Sequence, residues 1–251
     1  MNNAPEVVRV RHELKRRQLT VARVERAAPK MLRIVLKGAE LQGFTSLGFD
    51  DHVKLFFPDP EPSMRDFTPR RYDADTGELW IDFFVHDAGP AATWASQARV
   101  GLPLTVGGPK GSSVISKAGI DSYVLIGDET GLPAIARLLE ELPSAPRVLV
   151  VIEVESGAAD YPLESAATVE VVRVPRKAPV AAPAHELLAV LRTLEIPVER
   201  CFAWVALESQ AARAMRRYLL EERGFDKRWV KAAGYWQRGA TGSHEVIQDG
   251  D

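Results

Sequence analysis

Apolar residues follow two different rhythms along this chain. Up to about residue 118 they gather in short alternating runs, "LTVARVE", "MLRIVLKG", "HVKLFFP", "ELWIDFFVHD" and "LPLTVGG". Gly, Pro and Asp clusters such as "PDPEP" and "DADTGE" separate them. Short strands at close spacing predict a barrel or sandwich. One helix is expected near "AATWASQA". Beyond residue 118 the pattern changes. "SYVLIG" is a continuous apolar run of the kind buried on both faces. It leads into "DETGLPAIARLLEEL", where Ile135, Leu138, Leu139 and Leu142 recur at helical spacing and Pro133 suits a first helical turn. "RVLVVIEV" and "VEVVRV" predict strands, and "HELLAVLRTL" a helix with Leu187, Leu188, Leu191 and Leu194 on one side. "CFAWVAL" then predicts a strand and "ESQAARAMRRYLLEERG" a helix closed by Gly224. Strands alternating with helices imply a mostly parallel sheet covered on both faces. "VPRKAPVAAPAH" has no period and reads as a loop.

The predicted class is therefore β followed by α/β, an antiparallel first domain over 1–118 and a parallel-sheet domain over 119–251. A chain of 251 residues suits two cores better than one. The formal charge is −2, without the basic excess of a nucleic-acid binder. The basic stretch Arg9 to Arg17 reads as a solvated first strand and turn, because Glu13 interrupts it. A single cysteine, Cys201, excludes a disulfide framework and reads as a core residue. The N-terminus lacks the apolar segment of a signal peptide, and no apolar run is long enough to span a bilayer; a cytoplasmic protein is expected. With no long heptad pattern or apolar exposed helix, a monomer is expected. His12, His52, His86, His185 and His244 show no metal-ligand spacing, so no protein-bound metal is expected.

"MRDFTPRRYD" carries the densest chemistry. If extended, it turns Arg65 and Phe67 to one side and Thr68 to the other. A guanidinium suits phosphate oxygens, a flat aromatic suits a ring system, and a small hydroxyl suits a ring nitrogen. Alone, the stretch equally reads as an arginine-rich edge that resists aggregation. Downstream, "HDAGPAATWA" places a Gly-Pro turn before a helix start, and "VGGPKGSS" is a second glycine-rich turn.

Together, "RDFTPRRYD", "DFFVHDAGPAATWA", "GGPKGS", "GDETGLPAIARLLEELP" and "GYWQRG" resemble the siderophore-interacting protein family of FAD-dependent ferric-siderophore reductases, ferredoxin-reductase-like flavoproteins. The resemblance runs in order from about His52 to Gly239. It implies a six-stranded antiparallel FAD-binding barrel and a C-terminal NAD(P)H-binding domain ending in a siderophore-interacting segment. It implies FAD contacts at Arg65, Phe67, Thr68, Asp82, Phe84, His86, Gly89, Pro90, Ala91, Ala92 and Thr93, with Thr68 as the catalytic hydroxyl. Nucleotide contacts follow at Gly127, Thr130, Gly131 and Pro133, and Trp236 either walls the flavin or caps the core. His86 equally reads as a strand-end hydrogen bond. Lys54, Lys110 and Arg238 either form a basic mouth for an anionic ferric siderophore or are scattered surface charge. Phe67 stands where such flavoproteins usually carry tyrosine, Gln237 precedes Arg238 in the closing motif, and "ALES" replaces a Gly-Glu pair after the last predicted strand.

The implied chemistry is reduction of chelated Fe(III) to Fe(II), whose lower charge weakens its oxygen ligands and releases it. The donor is NADPH or NADH, or else reduced ferredoxin; Arg173, Arg176 and Lys177 either serve a 2′-phosphate or form a solvated loop. Asp128 and Glu129 sit awkwardly beside a phosphate and are expected to cap the following helix instead. Two other readings are a siderophore carrier without redox activity and a general ferredoxin or flavin reductase.

Overall fold

A computed structural model describes residues 4–58, 62–85, 89–155, 160–176, 184–239 and 245–247. The strands of the first half are β1 Val7–Arg11, β2 Arg16–Ala28, β3 Met31–Lys37, β4 Val53–Phe57, β5 Ser63–Phe67, β6 Arg71–Asp73, β7 Glu78–Phe84, β8 Pro103–Gly107 and β9 Gly111–Ile115, with helix α1 at Pro90–Ser96. The second half contains β10 Ser122–Gly127, α2 Leu132–Glu141, β11 Arg147–Val154, β12 Thr168–Pro175, α3 His185–Thr193, β13 Cys201–Glu208, α4 Ser209–Arg217, β14 Val230–Trp236 and β15 Glu245–Ile247.

The first half differs from the six-stranded barrel expected. Seven antiparallel strands form one sheet in the order β5-β4-β8-β2-β3-β7-β6, and β1 pairs separately with β9. The extra strand has a local cause. Pro69 has no N–H for a ladder, so "MRDFTPRRYD" breaks at Thr68–Arg70 into β5 and β6, which stand at opposite ends of the sheet. Inward residues of each strand, among them Leu19, Ile34, Leu55, Ile81 and Val106, fill the core, with Trp94 of α1 packed over Phe57 and Phe83. β1 is mostly exposed, as its charge pattern predicts, but Arg17 at the end of the same basic stretch is buried in β2, where its guanidinium donates to the carbonyls of Glu40 (3.0 Å) and Gly108 (3.0 Å).

The second sheet has the order β12-β11-β10-β13-β14-β15. Its first five strands are parallel, but β15 pairs antiparallel with β14, so the sheet is mixed rather than parallel throughout. Every residue of β10 is buried, and alternate residues face different cores: Tyr123 and Leu125 pack with α2, Val124 and Ile126 with α3 and α4. The α2 core also takes in Ala28, Met31 and Phe49 from the first half, so apolar packing crosses the seam between the sheets. The last helix continues past α4 as a π-helical turn over Tyr218–Glu222 and ends at Gly224, whose φ of 76° suits glycine. Cys201 is fully buried, and burial pushes its thiol pKa up to about 11. Among the described residues no helix is long and apolar enough to cross a membrane, and no group of His, Cys, Asp and Glu has the geometry of a metal site.

Candidate functional site

The carboxyl ends of the parallel strands β10, β13 and β14 share one edge of the sheet, the position where open α/β sheets bind ligands. Thr68 and Pro69, just past the end of β5, reach this same edge. Thr68 is buried, and its hydroxyl is hydrogen-bonded to Tyr235 in the last turn of β14. Burial holds the Tyr235 phenol well above its ordinary pKa, and its ring meets Trp204 edge-on with centroids 6.0 Å apart. Two distant sequence motifs, "RDFT" and "GYW", thus meet at one hydroxyl pair.

The next residue, Trp236, donates its indole N–H to Asp128 (2.7 Å). Asp128 is almost fully buried and accepts also from the backbone N–H (2.8 Å) and hydroxyl (2.5 Å) of Thr130. Burial raises its pKa, against the pull of these donors. Asp128 therefore holds the turn before α2 and ties it to β14, whereas Gly131 occupies the helix N-cap position. Glu129 also turns away from the turn. It accepts from Arg176 (2.6 Å) and from the amide of Glu155 (2.6 Å). Arg176 binds Glu153 as well (3.0 Å), so its guanidinium is committed to carboxylates rather than offered to a 2′-phosphate. Lys177 and His86 lie outside the described residues.

The expected residues of the first half divide into open and committed groups. Among the described residues Arg65 bonds only the carbonyl of its neighbour Met64 (2.8 Å), so its charge lacks a carboxylate partner. Phe67 is half-buried and lies against Phe83, with centroids 4.5 Å apart. Gly89 has a φ of 111° and no side chain caps the helix it starts; the Thr93 amide returns to the Gly89 carbonyl (3.0 Å). Among the described residues, the amides of Ala91 and Ala92 remain free in this first turn, as anion binding requires. Asp82 is committed elsewhere. Its side chain is fully buried between Arg33, which binds it through two 2.8 Å bonds, and the Tyr161 hydroxyl. Phe84 packs toward the α2 core. Lys54 pairs with Asp66 on β5 (2.9 Å); Lys110 lies past the end of the neighbouring β8; Arg238 follows β14, its amide directed at Glu208 (3.3 Å). Glu208, in the "ALES" segment, caps α4 by accepting from Gln210 and Ala211.

Several residues at the seam escape the sequence patterns. Asp50 accepts from the Trp204 indole (2.9 Å) and from Lys231 (2.7 Å). Arg70 binds Glu140, and Arg137 reaches the Pro69 carbonyl (3.0 Å). Each pair joins residues more than 65 positions apart, and no local spacing announces it.

Comparison with known proteins accounts for both halves. A family model described as the siderophore-interacting FAD-binding domain matches residues 20–63 and 58–113, and one described as siderophore-interacting protein matches 120–239. The NADPH-dependent ferric-chelate reductase of Escherichia coli is 38% identical over 94% of this chain and 99% of its own.

The chain belongs to the siderophore-interacting protein family.

Within the family, the ferric vibriobactin reductase ViuB of Vibrio cholerae is 32% identical over 89% of this chain and 90% of its own. The crystal structure of a siderophore utilization protein from T. fusca superposes with a TM-score of 0.85 at 38% identity, covering 95% of this chain and 98% of that one. Solved ferredoxin and cytochrome P450 reductases share the fold alone, at 16% and 18% identity. This chain thus has a ferredoxin-reductase-like fold with a mixed second sheet.

Proposed function

We propose that this chain is an FAD-dependent ferric-siderophore reductase driven by NAD(P)H, acting as a monomer in the cytoplasm. The observation that carries the reading is the Arg65–Thr68 segment. Among the described residues it offers a guanidinium without a carboxylate partner, and a buried hydroxyl beside the end of β14, within a chain matched by an FAD-binding family model. The naming of its relatives as ferric-chelate and ferric vibriobactin reductases supports the substrate class. The division at residue 118 is supported by the two family models, which end at 113 and begin at 120.

The residues present fit the cofactor. Arg65 would hold its diphosphate by parallel charge-assisted bonds, and the amides of Ala91 and Ala92 would supply further donors. Phe67 offers a ring face already fixed against Phe83, and Thr68, held by Tyr235, presents an oriented hydroxyl. Bound here, FAD supplies the conversion between a two-electron hydride donor and a one-electron ferric acceptor. Thr130, Gly131 and Pro133 line the turn that would receive the nicotinamide dinucleotide's pyrophosphate, which Asp128 shapes from beneath. Lys54, Lys110 and Arg238 would draw in the anionic ferric chelate, with Lys54 leaving Asp66 to do so. The chain's own task is to hold donor, ring and acceptor in line; no acid–base triad is needed.

The test is ferrous-iron capture. Purified protein with FAD, NADPH and a ferric siderophore should generate Fe(II), trapped by a coloured ferrous chelator, faster than free FAD with NADPH. A rate equal to the free-flavin control, with tight binding of the ferric complex retained, would instead identify a carrier.

A further inference from the structure

Helix α2 begins at the nucleotide turn and ends beside the flavin-side strand, and two arginines join the two. Arg70, two residues after Thr68, is buried and binds Glu140 of α2 through both terminal guanidinium nitrogens. Its Nε donates to the Tyr161 hydroxyl (3.2 Å), which donates to Asp82, itself clasped by Arg33 of β3. One turn earlier on α2, Arg137 donates to the Pro69 carbonyl (3.0 Å) and to the hydroxyl (2.9 Å) and carbonyl (2.8 Å) of Ser46. Thus Pro69 and Arg70 are held to the same helix from opposite directions, one by a guanidinium reaching out and one by a guanidinium reaching in. Paired forks fix orientation as well as distance.

We propose that Arg70 and Arg137 are positioning residues that bolt α2 to the Thr68 strand end and thereby set the separation between nicotinamide and flavin. The inference rests on the cofactor placement given under Proposed function. Holding the two halves together does not depend on this clamp. Phe49 lies in the α2 core, and Asp50 is bound to Trp204 and Lys231, so the seam has separate anchors. Loosening the clamp therefore shifts the register of α2 against Thr68 without separating the halves. Interfaces between domains of one chain ordinarily permit such movement. Hydride transfer is sensitive to it, since the reacting atoms must approach within about 3–3.5 Å. On the proposed placement the ferric chelate is drawn in by Lys54, Lys110 and Arg238, none of which lies on α2, so transfer from already reduced flavin should not depend on the clamp.

The variants are R70K, which keeps the charge and loses the fork, and E140Q, which removes the partner charge at a partly exposed position. Anaerobic bleaching of the FAD-loaded protein by NADPH should slow by about 10- to 100-fold, the cost of a misplacement near 1 Å. FAD affinity, and the rate at which a ferric siderophore reoxidises photoreduced protein, should stay within about twofold. In the FAD-free protein, amide hydrogen exchange over residues 68–70 and α2 should speed up about tenfold. Bleaching within twofold of wild type in both variants would overturn the proposal. So would equal slowing of both half-reactions with loss of FAD, which marks a merely structural role. If wild-type protein itself takes no electrons from NADPH, the cofactor reading fails first, and the exchange measurement still decides whether the clamp exists.

Discussion

Replacing Asp128 by asparagine isolates the residue that joins the nucleotide turn to the closing motif. Three donors converge on its carboxylate: the Thr130 amide, the Thr130 hydroxyl and the Trp236 indole, at 2.8, 2.5 and 2.7 Å. Asparagine has one acceptor oxygen. Facing Thr130 with it turns the amide N–H₂ against the indole N–H, and flipping the group turns it against the Thr130 amide. Either way one donor faces another at hydrogen-bond distance. An unmet buried donor costs about 1–3 kcal/mol. For a chain of this size a 2 kcal/mol loss lowers Tm by about 4–8 °C. Release of the Trp236 indole should change its emission. D128N should melt lower at pH 7 with altered tryptophan fluorescence. An unchanged Tm together with an unchanged emission spectrum would refute this account of the turn.

Arg65→Ala should weaken FAD binding by about 10- to 100-fold, since charged hydrogen bonds contribute about 1.5–3 kcal/mol, and fluorescence titration of the cofactor reads this directly. Arg176→Ala should lower Tm while leaving the preference between NADPH and NADH unchanged, because its partners are Glu129 and Glu153; steady-state KM values for both donors check it. Burial opposes ionisation of Glu140, but its bonds to Arg70 outweigh that and depress its pKa. Its contribution is thus complete above the ordinary glutamate value and lost as pH falls through the folded one, so denaturant titrations should show wild type and E140Q converging below about pH 4. Cys201, with its thiol pKa raised to about 11, should resist a disulfide reagent at pH 7 until the chain unfolds.

Periodicity revealed the elements that bury a full face. β10, β11 and β13 show continuous apolar runs because helices cover both sides, and α2 shows its leucines at helical spacing because one face meets that sheet. β14 is harder to see. Its "KAAGYW" stretch offers small residues with little strand preference, and Gly234 is required there because an added Cβ would stand 2.4 Å from the Ser209 hydroxyl oxygen. The stretch from Met64 to Asp73 looks continuous, and only the place of Pro69 in the ladder shows that it divides. The residue types of the candidate site were legible, since Arg65, Thr68, Thr130 and Trp236 sit in short motifs. Their state of engagement was not. Asp82 resembles a cofactor contact until Arg33 and Tyr161 enclose it, and Arg176 resembles a phosphate ligand until Glu129 and Glu153 neutralise it. Such pairings depend on residues brought together only by the folded sheets.

With FAD held at Arg65 and Thr68 as proposed, this chain carries electrons from a nicotinamide to chelated iron. Anaerobic absorbance spectroscopy of the FAD-loaded protein reads each transfer in turn. The visible flavin bands should bleach on adding NADPH or NADH and return, with stoichiometric Fe(II), on adding a ferric siderophore. Bands that persist under excess reduced nicotinamide, or a protein that retains no FAD after gel filtration at micromolar concentration, would contradict this reading.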